Sequence, residues 1–304
     1  MKKFNMNITP VQSIWLAWLI TAVNLVVLKS SVDYITSVLY IWICCMGAFL
    51  LFVPILLKKG TLGSIFTREV WLKCLAMGTF GTALPVTVFI IALHYTSPTN
   101  EAVLNQTEII YSIILSYIFL NERPNKRQLL GSAMIILGVC IIIMQNGMSM
   151  HIKGDLMIIG CVWMYQVSHV FSKKLPADMT PEAIAAARAL YALPALTLLA
   201  VILQFFTPMV FVSNGTLWFS IVFGAVVNYF LGNIFWYHSI RNMDLSKATA
   251  IILSYPAGTF LLSVLLGQEQ FTAVKVTGIL IAMSGAYTIT GVIKLKKFAK
   301  KFLP

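Results

Sequence analysis

Charge is scarce in this sequence. Asp, Glu, Lys and Arg make up 11% of its 304 residues, where a soluble domain carries about 25%. With 59% of residues hydrophobic, a water-soluble fold would have no polar surface with which to cover itself, so a soluble globular protein is excluded and a bilayer-embedded one is implied. Cysteine is equally uninformative as chemistry. Cys44, Cys45, Cys74, Cys140 and Cys161 all fall in apolar runs without metal-ligand spacing, and read as small buried residues. The chain lacks a GxSxG elbow, a GxxxxGK[ST] phosphate loop and an HExxH pair, which argues against a hydrolase, an ATP-driven pump and a zinc peptidase. No cofactor and no metal are expected. The net charge of +12 comes without any nucleic-acid-binding motif, and no nucleic-acid partner is expected. Residues 1–10 are polar and the apolar stretch after them is long, with no small-residue cleavage site, so no cleavable leader is expected.

What is present is a series of long apolar runs. Runs of about 18 or more residues read as membrane-spanning helices. They fall at 11–28, 37–57, 71–93, 98–120, 128–146, 155–172, 182–203, 216–238, 246–266 and 274–293. The expected fold is all-α, a polytopic bundle of ten transmembrane helices with no soluble domain. Lys and Arg orient it. If the N-terminus is cytoplasmic, 18 of them lie in inside segments and only Lys29, Lys153 and Lys275 outside, with Arg188 left within a span. That asymmetry predicts both termini inside. Length and compactness point to a prokaryotic cytoplasmic (inner) membrane.

The chain also repeats itself. An offset of 147 superposes 104–138 on 251–285, aligning Glu122 with Glu269, Gly131 with Gly278 and Gly138 with Gly285. An offset of 145 pairs Trp18 with Trp163 and Lys29 with Lys174. Each half, 1–147 and 148–304, would hold five spans. An odd number inverts the second half, an arrangement that suits alternating access with a solute site at the repeat interface.

The segment Ala92–Gly138, with Leu-Asn-Glu-Arg at 120–123 and Gly131…Gly138, resembles the EamA-type repeat of the drug/metabolite transporter superfamily, and Tyr255-Pro256 through Gln268-Glu269 to Gly278…Gly285 resembles it again. The resemblance covers nearly the whole chain. It implies ten helices, a central cavity lined chiefly by helices 1, 3, 4, 6, 8 and 9, and transport of small metabolites, often amino acids. One departure matters. Arg188 stands in the second helix of the second half, as it often does in such repeats, whereas the matching position in the first half is Ile43. The two halves would then line the cavity unequally.

Candidate site residues are polar groups inside spans. Glu101, Asn105 and Glu108 are spaced i, i+4, i+7 and share one helix face. A carboxylate within a span costs several kcal/mol unless it faces a cavity, pairs or is protonated. Glu108 therefore reads as a proton-coupling site or a counter-charge for a substrate amine, against a structural hydrogen bond to a neighbouring helix. Tyr255 holds the matching position in the second half, and Pro256 after it frees a backbone carbonyl. Asn228, Tyr229 and Asn233 in span eight offer polar and aromatic lining for an organic solute, while Trp236 and His238 read as interfacial. Trp18 and Asn24 in span one, Thr82 in span three, and Trp163 and Gln166 in span six complete the expected substrate-binding set. His169 and Arg188 read as structural: the first an interfacial imidazole, the second a helix bridge or a snorkelling side chain. Glu122 and Glu269 read as turn caps or ion pairs. The expected function is a secondary transporter of small polar organic metabolites, amino acids or related compounds, its partners being this solute and the bilayer. The alternatives are an uncoupled facilitator, or a membrane-embedded enzyme or scaffold subunit without transport activity.

Overall fold

A computed structural model describes residues 8–111, 114–115, 126–145, 152–242, 248, 251–252 and 254–289. Glu122 and the Leu-Asn-Glu-Arg segment lie outside them. The described chain is helical. Helix α1 is Pro10–Lys29, α2 is Ser37–Lys59, α3 is Trp71–Ala92 and α4 begins as Pro98–Leu104. Helix α5 is Lys126–Gln145, and α6 runs as Ile152–Cys161 and then, after a break at Val162, as Trp163–Lys173. Helix α7 is Pro181–Leu203, α8 Gly215–Asn242, α9 Tyr255–Leu265 and α10 Ala273–Ile289. Five of these, α1, α2, α3, α7 and α8, are long and apolar enough within the described residues to cross a membrane.

Local sequence sets the helix ends. Thr9 and Gln12 form a capping box ahead of α1: the Thr9 hydroxyl accepts from Gln12 N–H and Gln12 Oε1 accepts from Thr9 N–H at 2.9 Å, satisfying donors that a helix start leaves open. Ser97, Thr180 and Asn214 cap α4, α7 and α8, each side chain accepting from the backbone N–H three residues on, with Pro98 and Pro181 in the first turn, where a missing N–H costs nothing. Helix α2 stops at Gly60, whose φ of +67° is the left-handed cap that glycine adopts freely.

The bundle is greasy on the outside. Leu57, Leu72, Leu198, Phe219, Leu261 and Leu265 are all more than half exposed. In water this would be an aggregation surface; against hydrocarbon it matches the solvent. Inside, one apolar cluster is built by α2, α3, α7 and α8 around Ile41, Phe52, Met77 and Leu196, and another by α1, α4, α6, α9 and α10 around Ala22, Leu104, Ile158 and Ile279. The loops after α1 and α7 are zipped together by Thr36 N–H to Val210 O at 3.0 Å and Val212 N–H to Tyr34 O at 2.8 Å.

Helices α5 and α10 meet through glycine. A Cβ at Gly138 would sit 2.6 Å from the Gly278 carbonyl oxygen and 2.7 Å from Ala282 N, and one at Gly285 would sit 2.5 Å from the Gly131 carbonyl oxygen. The two backbones thus touch at two crossing points, and each uses a glycine from both helices, the small-residue packing typical of membrane helices. Gly138→Ala and Gly285→Ala should each cost about 1–3 kcal/mol, the range for overpacking a tight contact, and lower the apparent Tm of detergent-solubilised protein. Gly160→Ala, inside a helix at a position with open space around it, should leave the Tm unchanged or raise it slightly.

Candidate functional site

Two helices lose α-helical regularity in mid-span. In α3, Thr79–Ala83 forms a π-helical turn, and in α8 the π stretch is longer, Phe223–Gly232. Such turns widen a helix and are frequent at functional sites. Helix α4 tightens instead, with a 3₁₀ turn at Asn105–Thr107. The three irregular segments belong to helices that surround a central cavity of about 240 Å³.

The cavity brings together much of the expected site. Glu101, Asn105 and Glu108 line it from α4, Asn24 from α1, Asn228, Tyr229 and Asn233 from α8, and Tyr255 from α9. The i, i+4, i+7 face thus survives the 3₁₀ turn. Asn105 Nδ2 donates to the Tyr255 hydroxyl at 3.1 Å, which joins α4 to α9 beside the cavity. Asn233 Nδ2 turns back to the Tyr229 carbonyl at 2.8 Å.

Glu108 is the best-supported carboxylate. Its Oε1 accepts from Gln166 Nε2 at 2.5 Å and lies 3.4 Å from His169 Nε2. The His169 ring packs against Trp236, with centroids 5.4 Å apart, and both line the cavity. Gln166 is therefore brought to the site through Glu108 rather than by lining the cavity itself. Glu101 is fully buried, and its Oε2 has no hydrogen-bond partner among the described residues.

Other expected residues stand back from the cavity. Trp18 packs edge-on against Trp15, with centroids 5.8 Å apart. Trp163 donates from Nε1 to the Gly160 carbonyl at 2.9 Å and faces the Phe80 ring, because the break at Val162 sets the register of the helix after it. Thr82 accepts from Arg188 Nε at 2.8 Å. Arg188, His169, Trp236, Tyr165, Tyr40 and Thr21 line the cavity beyond the expected set. Arg188 was readable as a helix bridge, and it is one, but it also reaches the cavity. The lining thus includes α2 and α7 in addition to the expected helices, and among the described residues α5 and α10 contribute nothing to it.

Glu269 behaves as the sequence suggests. Its Oε1 accepts from the Thr99 backbone N–H at 3.0 Å, capping α4, while Oε2 pairs with Lys275 Nζ at 2.7 Å. Nearby, Lys29 Nζ donates to the Leu93 carbonyl and Gln268 Nε2 to Val26 O at 3.1 Å. At the other end of the bundle, Lys59 pairs with Glu182 at 2.9 Å and Ser13 Oγ shares a hydrogen bond of 2.9 Å with His238 Nδ1.

The family model described as the EamA-like transporter family matches residues 10–144 and again 152–291. The chain belongs to the EamA-like transporter family. It is an integral membrane protein of a transporter family, as its apolar helices require. It is 27% identical over 221 residues to an uncharacterized transporter, YyaM, of Bacillus subtilis (strain 168), covering 70% of this chain and 71% of that one. It is 26% identical over 220 residues to an uncharacterized transporter of Archaeoglobus fulgidus, covering 71% and 76%. A protein of known crystal structure superposes over 94% of this chain and 99% of its own with a TM-score of 0.71 at 18% identity, a likeness of fold alone. The family and the relatives' names point to transport rather than catalysis.

The Glu269–Lys275 pair is buried, with side-chain exposures of 3% and 9%. Removing one partner of such a pair leaves a buried charge alone and costs about 3–5 kcal/mol. Glu269→Ala should lower stability by that order in a thermal or denaturant melt. The double variant Glu269→Ala/Lys275→Met should recover part of the loss.

Proposed function

We propose that the chain is a ten-span secondary transporter built of two inverted five-helix halves, 1–147 and 148–304, which moves small polar organic metabolites, amino acids or related compounds, by alternating access. The observation that carries this reading is the cavity. Polar side chains from both halves of the chain converge on it, Asn24, Glu101, Asn105 and Glu108 from the first and Asn228, Tyr229, Asn233 and Tyr255 from the second. A cavity with a few polar groups set in apolar and aromatic walls suits a solute with a few polar handles. The inverted repeat is supported by the two matches to one family model and by the glycine contacts. Gly131 meets Gly285 and Gly138 meets Gly278, the reciprocal pairing that two-fold-related copies make. The π turns of α3 and α8 also fall at positions related by the offset of 147.

Glu108 is the proposed coupling residue. With Gln166 and His169 at one oxygen, it can take up a proton or hold a substrate ammonium while remaining in contact with the cavity. The orientation proposed from Lys and Arg places both termini on the cytoplasmic side of a prokaryotic inner membrane.

In proteoliposomes loaded with a pH gradient, uptake of the solute should depend on that gradient, and Glu108→Gln should abolish uptake or its pH dependence. Unchanged transport by that variant removes Glu108 from the mechanism, and gradient-independent transport by the unaltered protein makes it a facilitator. Single cysteines placed in 121–127 and at both termini should be labelled from the cytoplasmic side by a membrane-impermeant maleimide. Labelling of 121–127 from outside would exclude the ten-span topology.

A further inference from the structure

Arg188 carries a charge that the described protein does not neutralise. Its Nε donates to Thr82 Oγ1 at 2.8 Å and its Nη2 to the Gly81 carbonyl. Both acceptors are neutral, and among the described residues no carboxylate lies within 4 Å of it. The two carboxylates of the cavity do not serve it: Glu108 is held by Gln166 and His169 on α6, and Glu101 sits buried near the start of α4. A cation deep in a membrane bundle is expensive unless something of opposite sign reaches it.

The sequence prepares this position. The carbonyl of Gly81 would ordinarily accept from the N–H four residues on, but residue 85 is proline and has none. That carbonyl lies inside the π turn of α3 and accepts from Arg188 Nη2. Gly81 also has no room for a side chain. A Cβ there would lie 3.3 Å from Arg188 Nε, and it would collide with the Ser168 hydroxyl. Pro85, Gly81 and Thr82 thus position the guanidinium and hold it against the cavity wall. A guanidinium has five N–H donors in a planar fork that matches a carboxylate, and the two bonds to α3 fix the fork without compensating its charge.

The geometry points to Arg188 as the anion subsite of the cavity, binding a carboxylate group of the transported solute. This rests on the transporter reading and adds to it the group by which the solute is held. A monocarboxylate fits better than a phosphate ester, because the Glu108 carboxylate lines the same cavity and repels a multiply charged anion. An ammonium elsewhere on the solute would find Glu108.

Matched pairs test this on the purified full-length protein. The common L-amino acids and short aliphatic monocarboxylates are compared with their carboxamides by thermal shift and by equilibrium binding of the hits. Some acids should raise the apparent Tm, and their amides should bind roughly tenfold more weakly or worse, the loss expected for a charge-assisted hydrogen-bond pair. Arg188→Lys keeps the charge but loses the fork. It should weaken acid binding by a similar factor and leave the residual amide binding unchanged. Thr82→Val should act in the same direction, less strongly. Equal binding of acid and amide by the unaltered protein overturns the proposal whether or not the variants fold, and so does the absence of any acid ligand. An equal effect of Arg188→Lys on acid and amide would reduce Arg188 to a structural bridge. Proteoliposome uptake separates the two levels. Uptake of acids and amides alike sinks this assignment only, whereas failure to move any compound of the panel sinks the transporter reading itself.

Discussion

Polar groups inside a bilayer must find protein or water, and that constraint shapes the architecture of this chain. Its helices turn Leu, Phe and Val outward and gather Glu101, Asn105, Glu108, Arg188, Asn228 and Asn233 around one cavity. The bundle keeps an apolar core as a soluble protein does, but its exterior is apolar too, and its polar side chains gather at one interior cavity. Because the exterior is already matched to hydrocarbon, burial of apolar area contributes little to helix association. Close backbone packing and specific polar bonds must hold the bundle together.

Those two kinds of contact are separated in space. Helices α5 and α10 dock through Gly131, Gly138, Gly278 and Gly285 and, among the described residues, stay clear of the cavity. The Lys–Glu pairs sit at the ends of the bundle, where Glu269 ties α4 to Lys275 and Lys59 ties α2 to Glu182. Between them lie the irregular turns of α3, α4 and α8, where side chains from several helices reach the same space.

Much of this was legible in the sequence, and the residues show why. Apolar runs of spanning length mark α1, α2, α3, α7 and α8 with errors of a few residues, because the bilayer fixes their length whatever their neighbours do. The face of Glu101, Asn105 and Glu108 was legible because three polar groups at helical spacing in an apolar run leave one direction to point. Depth and rotation were not legible. Arg188 and His169 could equally have reached an interface, and only the positions of α3 and α4 bring them to Thr82 and Glu108. Trp163 and Gln166 share a stripe on paper, yet one packs on Phe80 and the other reaches Glu108. Separately, a helical wheel drawn from residue 152 carries the register of Ile152–Cys161 across the break at Val162 and misplaces Trp163–Lys173 relative to it. The π turns escape a sequence reading for the same reason, since a period of 3.6 assumes every turn alike.

The π turns have a mechanical consequence. A π turn stores one residue more than an α turn, and the surplus can travel along the helix by exchanging one set of backbone bonds for another. Each step rotates the segment it passes by roughly the angle of one residue, without unwinding the rest. In α8 the stretch Phe223–Gly232 contains Asn228 and Tyr229 and stops just before Asn233. A migrating surplus would therefore turn these side chains relative to α1 and α9 while both ends of the helix stayed anchored. Such a shift would re-aim the walls of the cavity at little cost in hydrogen bonds.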